Sequence, residues 1–297
     1  MRNAIALSSA AVAAIALGTA TAGAETVAYW NFEDGTAGAE FTPAGSEPGT
    51  GGSADVVTGT LARGYDVAYG AEYTDQTPPL GDDLAMNLVI GGDGAEDVTS
   101  DAYITEGPLF NWSPSAWTIE TSVYLRNIDG FRTMIGRDGS SQAEPESDFY
   151  LANNGIDNQF RINYDTVGGQ RWVLDGQPEG GVQADTWYGV AARSDGATLE
   201  LLIDDGSGFE VVSSLDISAQ TAADNALIPA EFNWTLGRGW YNGGFVDHVD
   251  GIMDNVRFSD EAVATGDLLA IGAVVPEPTT AGLLLALGGL GLARRRR

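Results

Sequence analysis

Residues 117–139 read WTIETSVYLRNIDGFRTMIGRDG. Two runs rich in β-branched and aromatic residues, WTIETSVYLR and FRTMIG, flank a short polar stretch containing Asp and Gly. Apolar residues do not recur at three- and four-residue spacing, so the segment predicts strand, turn, strand rather than helix. The same texture runs outward in both directions. Upstream lies TVAYWNF (26–32), and downstream follow DFYLANN (148–154), QFRINYD (159–165) and RWVLD (171–175). TWYGVAARS (186–194), TLELLID (198–204) and FEVVSSLDI (209–217) continue the series, and FNWTLGR (232–238) and GIMDNVRF (251–258) complete it. Turns such as NNGIDN and DDGSG separate them.

Residues 33–100 are rich in Gly, Asp, Thr and Pro and predict long loops around two short strands, DVVTGTL and LAMNLVI. No repeat of 20–50 residues is visible, which argues against a propeller or solenoid. Many short strands without a repeat predict an all-β, two-sheet antiparallel jelly-roll sandwich.

The two ends have a different character. Arg2, the apolar AIALSSAAVAAIALG and the small-residue exit ATAGAE describe a secretory signal peptide over residues 1–24, cleaved before Glu25. At the other end, VPEPTTAGLLLALGGLGLARRRR (275–297) sets an apolar run of 14 residues, Thr280 to Ala293, before four arginines. As a helix that run reaches about 21 Å, short of the ~30 Å hydrocarbon core. A short apolar tail of this kind has the logic of a removable sorting signal. VPEP, apolar run and arginine cluster together closely resemble the PEP-CTERM signal of Gram-negative bacteria. That resemblance implies a C-terminal sorting helix, transient inner-membrane association, processing by an exosortase-type enzyme, and delivery to the cell surface or extracellular matrix.

Residues 25–274 form one expected domain, long enough to bury a sizeable core. There, nine of the 14 basic and 41 of the 42 acidic residues remain, a net charge of about −32, and the chain has no lysine. Such a field repels nucleic acid, so no nucleic-acid partner is expected. The acids are scattered, which reads as solubility rather than as a built cation site. The absence of cysteine excludes thiol catalysis and Cys-ligated metals. His248, the sole histidine, sits in VDHVDG and reads as a loop residue.

Four segments resemble laminin-G-like, concanavalin A-type jelly rolls: AYWNFEDGTAG (28–38), the opening quotation, DTWYGVAARSDGATLELLIDDG (185–206) and VDGIMDNVRFSDEAV (249–263). Tyr188 and Gly189 stand where that family usually has histidines. The resemblance implies a structural calcium ion where the first and last strands meet, with Asp254 as ligand and Glu33 and Asp34 as its nearest partners. For sugar binding, the candidates are aromatic residues in or beside Gly-rich turns: Trp172, Trp240 and Tyr241. Glycoside hydrolysis needs paired carboxyl groups about 5–9.5 Å apart, and WTIETS supplies only Glu120. The expected function is therefore non-enzymatic: a surface-sorted protein binding or adhering to extracellular polysaccharide. A carbohydrate-active enzyme of the same fold and a purely structural surface protein are the alternatives.

Overall fold

The computed structural model describes residues 26–33, 35–39, 61–63, 71–79, 84–88, 102–104, 109, 111–139, 147–229 and 234–271. The expected signal peptide and the C-terminal sorting helix both lie outside these. Seventeen strands follow in chain order. The first five are short: β1 (Thr26–Trp30), β2 (Leu61–Arg63), β3 (Glu72–Thr74), β4 (Ala85–Leu88) and β5 (Ala102–Ile104). The long ones are β6 (Trp117–Leu125), β7 (Phe131–Arg137), β8 (Phe149–Asn154), β9 (Gln159–Asp165) and β10 (Arg171–Gly176). Then come β11 (Trp187–Ser194), β12 (Thr198–Asp204) and β13 (Glu210–Asp216). The series ends with β14 (Trp234–Leu236), β15 (Gly239–Tyr241), β16 (Gly244–Val246) and β17 (Gly251–Ser259).

The strands form two stacked antiparallel sheets, as the sequence predicts. One runs β13-β12-β11-β6-β17-β4-β3, with β1 also paired to β17, and will be called the front sheet. The back sheet runs β10-β9-β8-β7-β14-β5-β2. β15 and β16 pair only with each other. Strands β3 and β5 and the β15–β16 hairpin were not expected. The first two have three residues each, too short to show a period, and β2 shares only Leu61 with the expected strand DVVTGTL, the rest of which lies outside the described residues.

Alternation fills the space between the sheets. Trp117, Ile119, Val123 and Leu125 of β6 enter the same core as Phe160, Ile162 and Tyr164 of β9. Trp234 lies 5.1 Å from Phe149 and 5.0 Å from Phe258, in tilted and edge-on geometry. Trp117 meets Phe149 at 5.9 Å and Tyr164 at 5.2 Å, both edge-on. Aromatic pairs in such arrangements add about 0.5–1.5 kcal/mol each beyond area burial.

β6 is nevertheless buried on both faces, because residues 260–271 cross the outer side of the front sheet as a strap. Thr118 Oγ1 donates to the Glu261 carbonyl at 2.8 Å and accepts the Val263 N–H at 2.8 Å. Glu120 accepts Arg257 Nε at 2.6 Å and the Leu269 N–H at 2.8 Å. Arg193 Nη1 donates to the Val263 carbonyl at 2.7 Å, and Asp204 Oδ2 accepts the Ile271 N–H at 2.9 Å. Under these bonds Val263 and Leu268 pack on Ala191, Leu202 and Phe209 in a second apolar cluster. Glu120 is 1% exposed. Burial raises its pKa, while Arg257 and the Leu269 N–H pull the other way.

Removing one member of a buried ion pair strands the other, at a cost of about 3–5 kcal/mol. Glu120→Ala is expected to lower the unfolding free energy by about that amount, read from urea denaturation at neutral pH. A loss under about 1 kcal/mol would show that the strap is not held by this pair.

Candidate functional site

The outward positions of the back sheet carry the candidate site. On β9 the inward Phe160, Ile162 and Tyr164 leave Arg161 and Asn163 facing out. Cross-strand register sets these in rows. Thr133, Ala152, Arg161 and Asp175 stand side by side on β7, β8, β9 and β10, and Tyr150 stands next to Asn163. Arg161 is bound two-fold by Asp175, Nε to Oδ1 at 2.7 Å and Nη2 to Oδ2 at 2.9 Å. Its guanidinium also lies 5.5 Å from the centre of the Phe131 ring.

The β15–β16 hairpin forms the other wall. Its turn is Asn242-Gly243, with φ of 50° and 83°. Left-handed backbone at both residues is the type I′ geometry of two-residue hairpins, which Asn-Gly adopts most readily. The hairpin sits close on β8: a Cβ on Gly239 would come within 2.5 Å of Tyr150 Cε1. The Tyr150 hydroxyl donates to the Trp240 carbonyl, and Ser147 Oγ accepts the Trp240 N–H at 3.0 Å. At the hairpin base, buried Arg238 donates to both oxygens of Asp138, at 2.8 and 3.2 Å, and stacks 4.0 Å from the Phe245 ring centre.

Sheet and hairpin together enclose a cavity of about 340 Å³, to which the hairpin side contributes Tyr241, Val246 and Asp247. That volume is at the small end of ligand sites, which span roughly 300–1,000 Å³. Tyr241 is 48% exposed. Asn163, by contrast, is 8% exposed, and Thr133 is fully buried. Among the described residues, Asn163 Oδ1 and Thr133 Oγ1 have no hydrogen-bond partner. Buried polar atoms left in this state are uncommon in folded proteins, and these two belong to residues that line the cavity. Burial also raises the Asp247 carboxyl pKa, with Arg132 opposing the shift.

The structure places the aromatic candidates in two locations. Tyr241 lies at the cavity and Trp240 is its neighbour on β15, where the backbone of Trp240 fastens the hairpin. Trp172 is elsewhere: on β10 it stands opposite Tyr164, packs against the core, and donates Nε1–H to Asn225 Oδ1 at 3.0 Å. The residues reasoning from sequence passed over are Arg161, Asn163, Thr133 and Asp247. A signal for the first two exists in QFRINYD, whose even-numbered positions are apolar and whose odd-numbered ones are polar.

Of the proposed calcium ligands, Asp34 lies outside the described residues. Glu33 Oε1 accepts the Leu84 N–H at 3.1 Å. Asp254 is fully buried and caps a β-bulge in β17, accepting the Asn255 N–H at 2.8 Å and Asn255 Nδ2 at 3.1 Å. Asn255 adopts φ 52°, a left-handed conformation that Asn tolerates well. Among the described residues no three His, Cys, Asp or Glu side chains gather as a metal site.

Residues 274–297 match the PEP-CTERM protein-sorting motif, which marks the chain as secreted and surface-sorted. No curated protein matches the chain. Among solved structures, the chain is similar to domain 4 of AbnA, an extracellular GH43 arabinanase from Geobacillus stearothermophilus, in complex with arabinotriose. The TM-score is 0.53 at 14% identity, covering 84% of this chain and 98% of that one. The CBM40 of the Ruminococcus gnavus IT-sialidase, bound to α2,3-sialyllactose, aligns with a TM-score of 0.44 at 17% identity, over 54% of this chain and 84% of the other. The arabinanase domain shows that the β-sandwich is shared. Among the described residues no helix is long and apolar enough to cross a membrane.

His248 adjoins the cavity residue Asp247, and its pKa is pushed down to about 4 by burial first, then by Arg238 and Arg132. The unfolded chain takes up this proton near pH 6.5 and the folded one only near 4. The stability contributed is therefore complete above pH 6.5 and declines as pH falls toward 4. Between pH 7 and 5.5 the wild type is expected to lose about 1 kcal/mol more than His248→Asn, measured by urea unfolding at both pH values. Equal losses would show that the imidazole titrates normally.

Proposed function

We propose that this protein is a non-catalytic glycan-binding module of the extracellular polysaccharide matrix, with its ligand site in the cavity between β7–β9 and the β15–β16 hairpin. The observation that carries this reading is the pair of unpartnered buried oxygens, Asn163 Oδ1 and Thr133 Oγ1, in residues lining a cavity beside the half-exposed Tyr241 ring. A sugar supplies what both features lack: hydroxyl groups for the polar atoms and C–H faces for the ring. The fold shared with an arabinanase domain that holds arabinotriose supports the same reading. Asp247 is the only carboxylate among the described residues lining the cavity, whereas hydrolysis takes two. In this reading the tail holds the chain briefly at the inner membrane of a Gram-negative cell until an exosortase-type enzyme processes it.

A glycan array followed by calorimetry on the retained sugars tests the proposal. Tyr241→Ala and Asn163→Ala are each expected to weaken binding at least about tenfold, the equivalent of about 1.4 kcal/mol. Undiminished binding by both variants would move the site elsewhere. Retention of no glycan would favour the structural alternative, and release of reducing sugar would favour the enzyme.

Structural calcium near Asp254 is a separate proposal, resting on the resemblance of the closing strand and on the burial of this carboxylate beside β1. Millimolar calcium is expected to raise the melting temperature more than sodium chloride of matched ionic strength, and Asp254→Asn to abolish the difference while retaining a cap oxygen. An equal response from both proteins would reduce the effect to screening of self-repulsion.

A further inference from the structure

We infer that the cavity selects neutral, hydroxyl-donating sugars over carboxylated or sulfated ones, and that Asp175 sets this preference by occupying Arg161. The inference rests on the cavity being a glycan site. An anionic sugar is favoured by a cation whose charge is not already neutralised. Among the described residues, the cationic side chain lining this cavity is Arg161, and two of its nitrogens donate to Asp175 at 2.7 and 2.9 Å. Its position over the Phe131 ring fixes the guanidinium further. That pair neutralises the guanidinium, so a ligand carboxylate approaching Arg161 meets the like charge of Asp175 at close range.

The rest of the lining has the same bias. Asp247 places a carboxylate in the lining itself, and the buried Asn163 Oδ1 is an acceptor without a protein donor. A sugar hydroxyl donates to such an atom, whereas a carboxylate or sulfate group turned toward it is repelled. The whole-chain charge of −28 adds a long-range repulsion of anionic polymers, which 1 M salt removes by shortening the screening length to about 3 Å. Local selection therefore persists in salt, and the long-range contribution does not.

Neutral and uronate oligosaccharides of equal length, arrayed at 0.1 and 1 M sodium chloride, separate these effects. Neutral sugars are expected to be retained and uronates rejected at both salt concentrations. Asp175→Asn, which removes the like charge beside Arg161 and keeps the shape of the side chain, is expected to tighten uronate binding about tenfold, the scale of a hydrogen bond to a charged group. Uronate binding by the wild type at 1 M salt that is lost in Tyr241→Ala overturns the selection and leaves the glycan site standing. An Asp175→Asn protein no better at holding uronates overturns the role of Asp175. Retention of neither class at either salt overturns the site together with its selectivity.

Discussion

The contact between Trp234 and Phe258 is the constraint on which the sandwich turns. Trp234 belongs to a three-residue strand of the back sheet, Phe258 to the last long strand of the front sheet, and their rings meet edge to face. Phe149 extends the contact along the back sheet, Trp112 to the segment before β6, and Trp30 to the first strand. Residues far apart in the chain are thereby fixed against one another in a single core. The hairpin that walls the cavity begins at Gly239, five residues after Trp234, directly behind the buried Arg238. A shift of the tryptophan would move Arg238, the hairpin and the cavity wall together.

Each sheet has an outer face, and the two are treated in opposite ways. The front sheet is sealed by the strap, whose polar bonds sit over a small apolar cluster. The back sheet is only partly covered, by a hairpin that pairs with no neighbouring strand. Beneath the strap Thr118 and Glu120 bond its backbone, whereas beside the hairpin Asn163 Oδ1 and Thr133 Oγ1 lie next to a cavity without a protein partner.

Much of the sandwich was legible because strand residues carry their own period. QFRINYD and TLELLID are strands with the predicted limits. The hairpin was harder. Its Asn-Gly turn is a strong signal, but the flanking strands are three residues each, too short for alternation to show. β6 illustrates another limit: Thr118 and Glu120 have the spacing of solvent-facing residues, and only the strap that arrives some 140 residues later buries them. Site residues depend on the same long-range information. Arg161 and Asn163 are ordinary outward residues of one strand until a distant hairpin encloses them, and Trp172, conspicuous in sequence, packs against the core.

The strap has a mechanical consequence. Ile271 is fastened through its N–H to buried Asp204, only three residues before the sorting motif begins at 274. Tension entering from that end meets the Asp204 and Glu120 bonds first, and they load together with the packing of Leu268 and Val263. The strap must peel away before force reaches β17 and, through Phe258, the tryptophan of the back sheet. The cavity lies on the far side of that core, so a load on the tail is absorbed on one face while the geometry of the other is preserved.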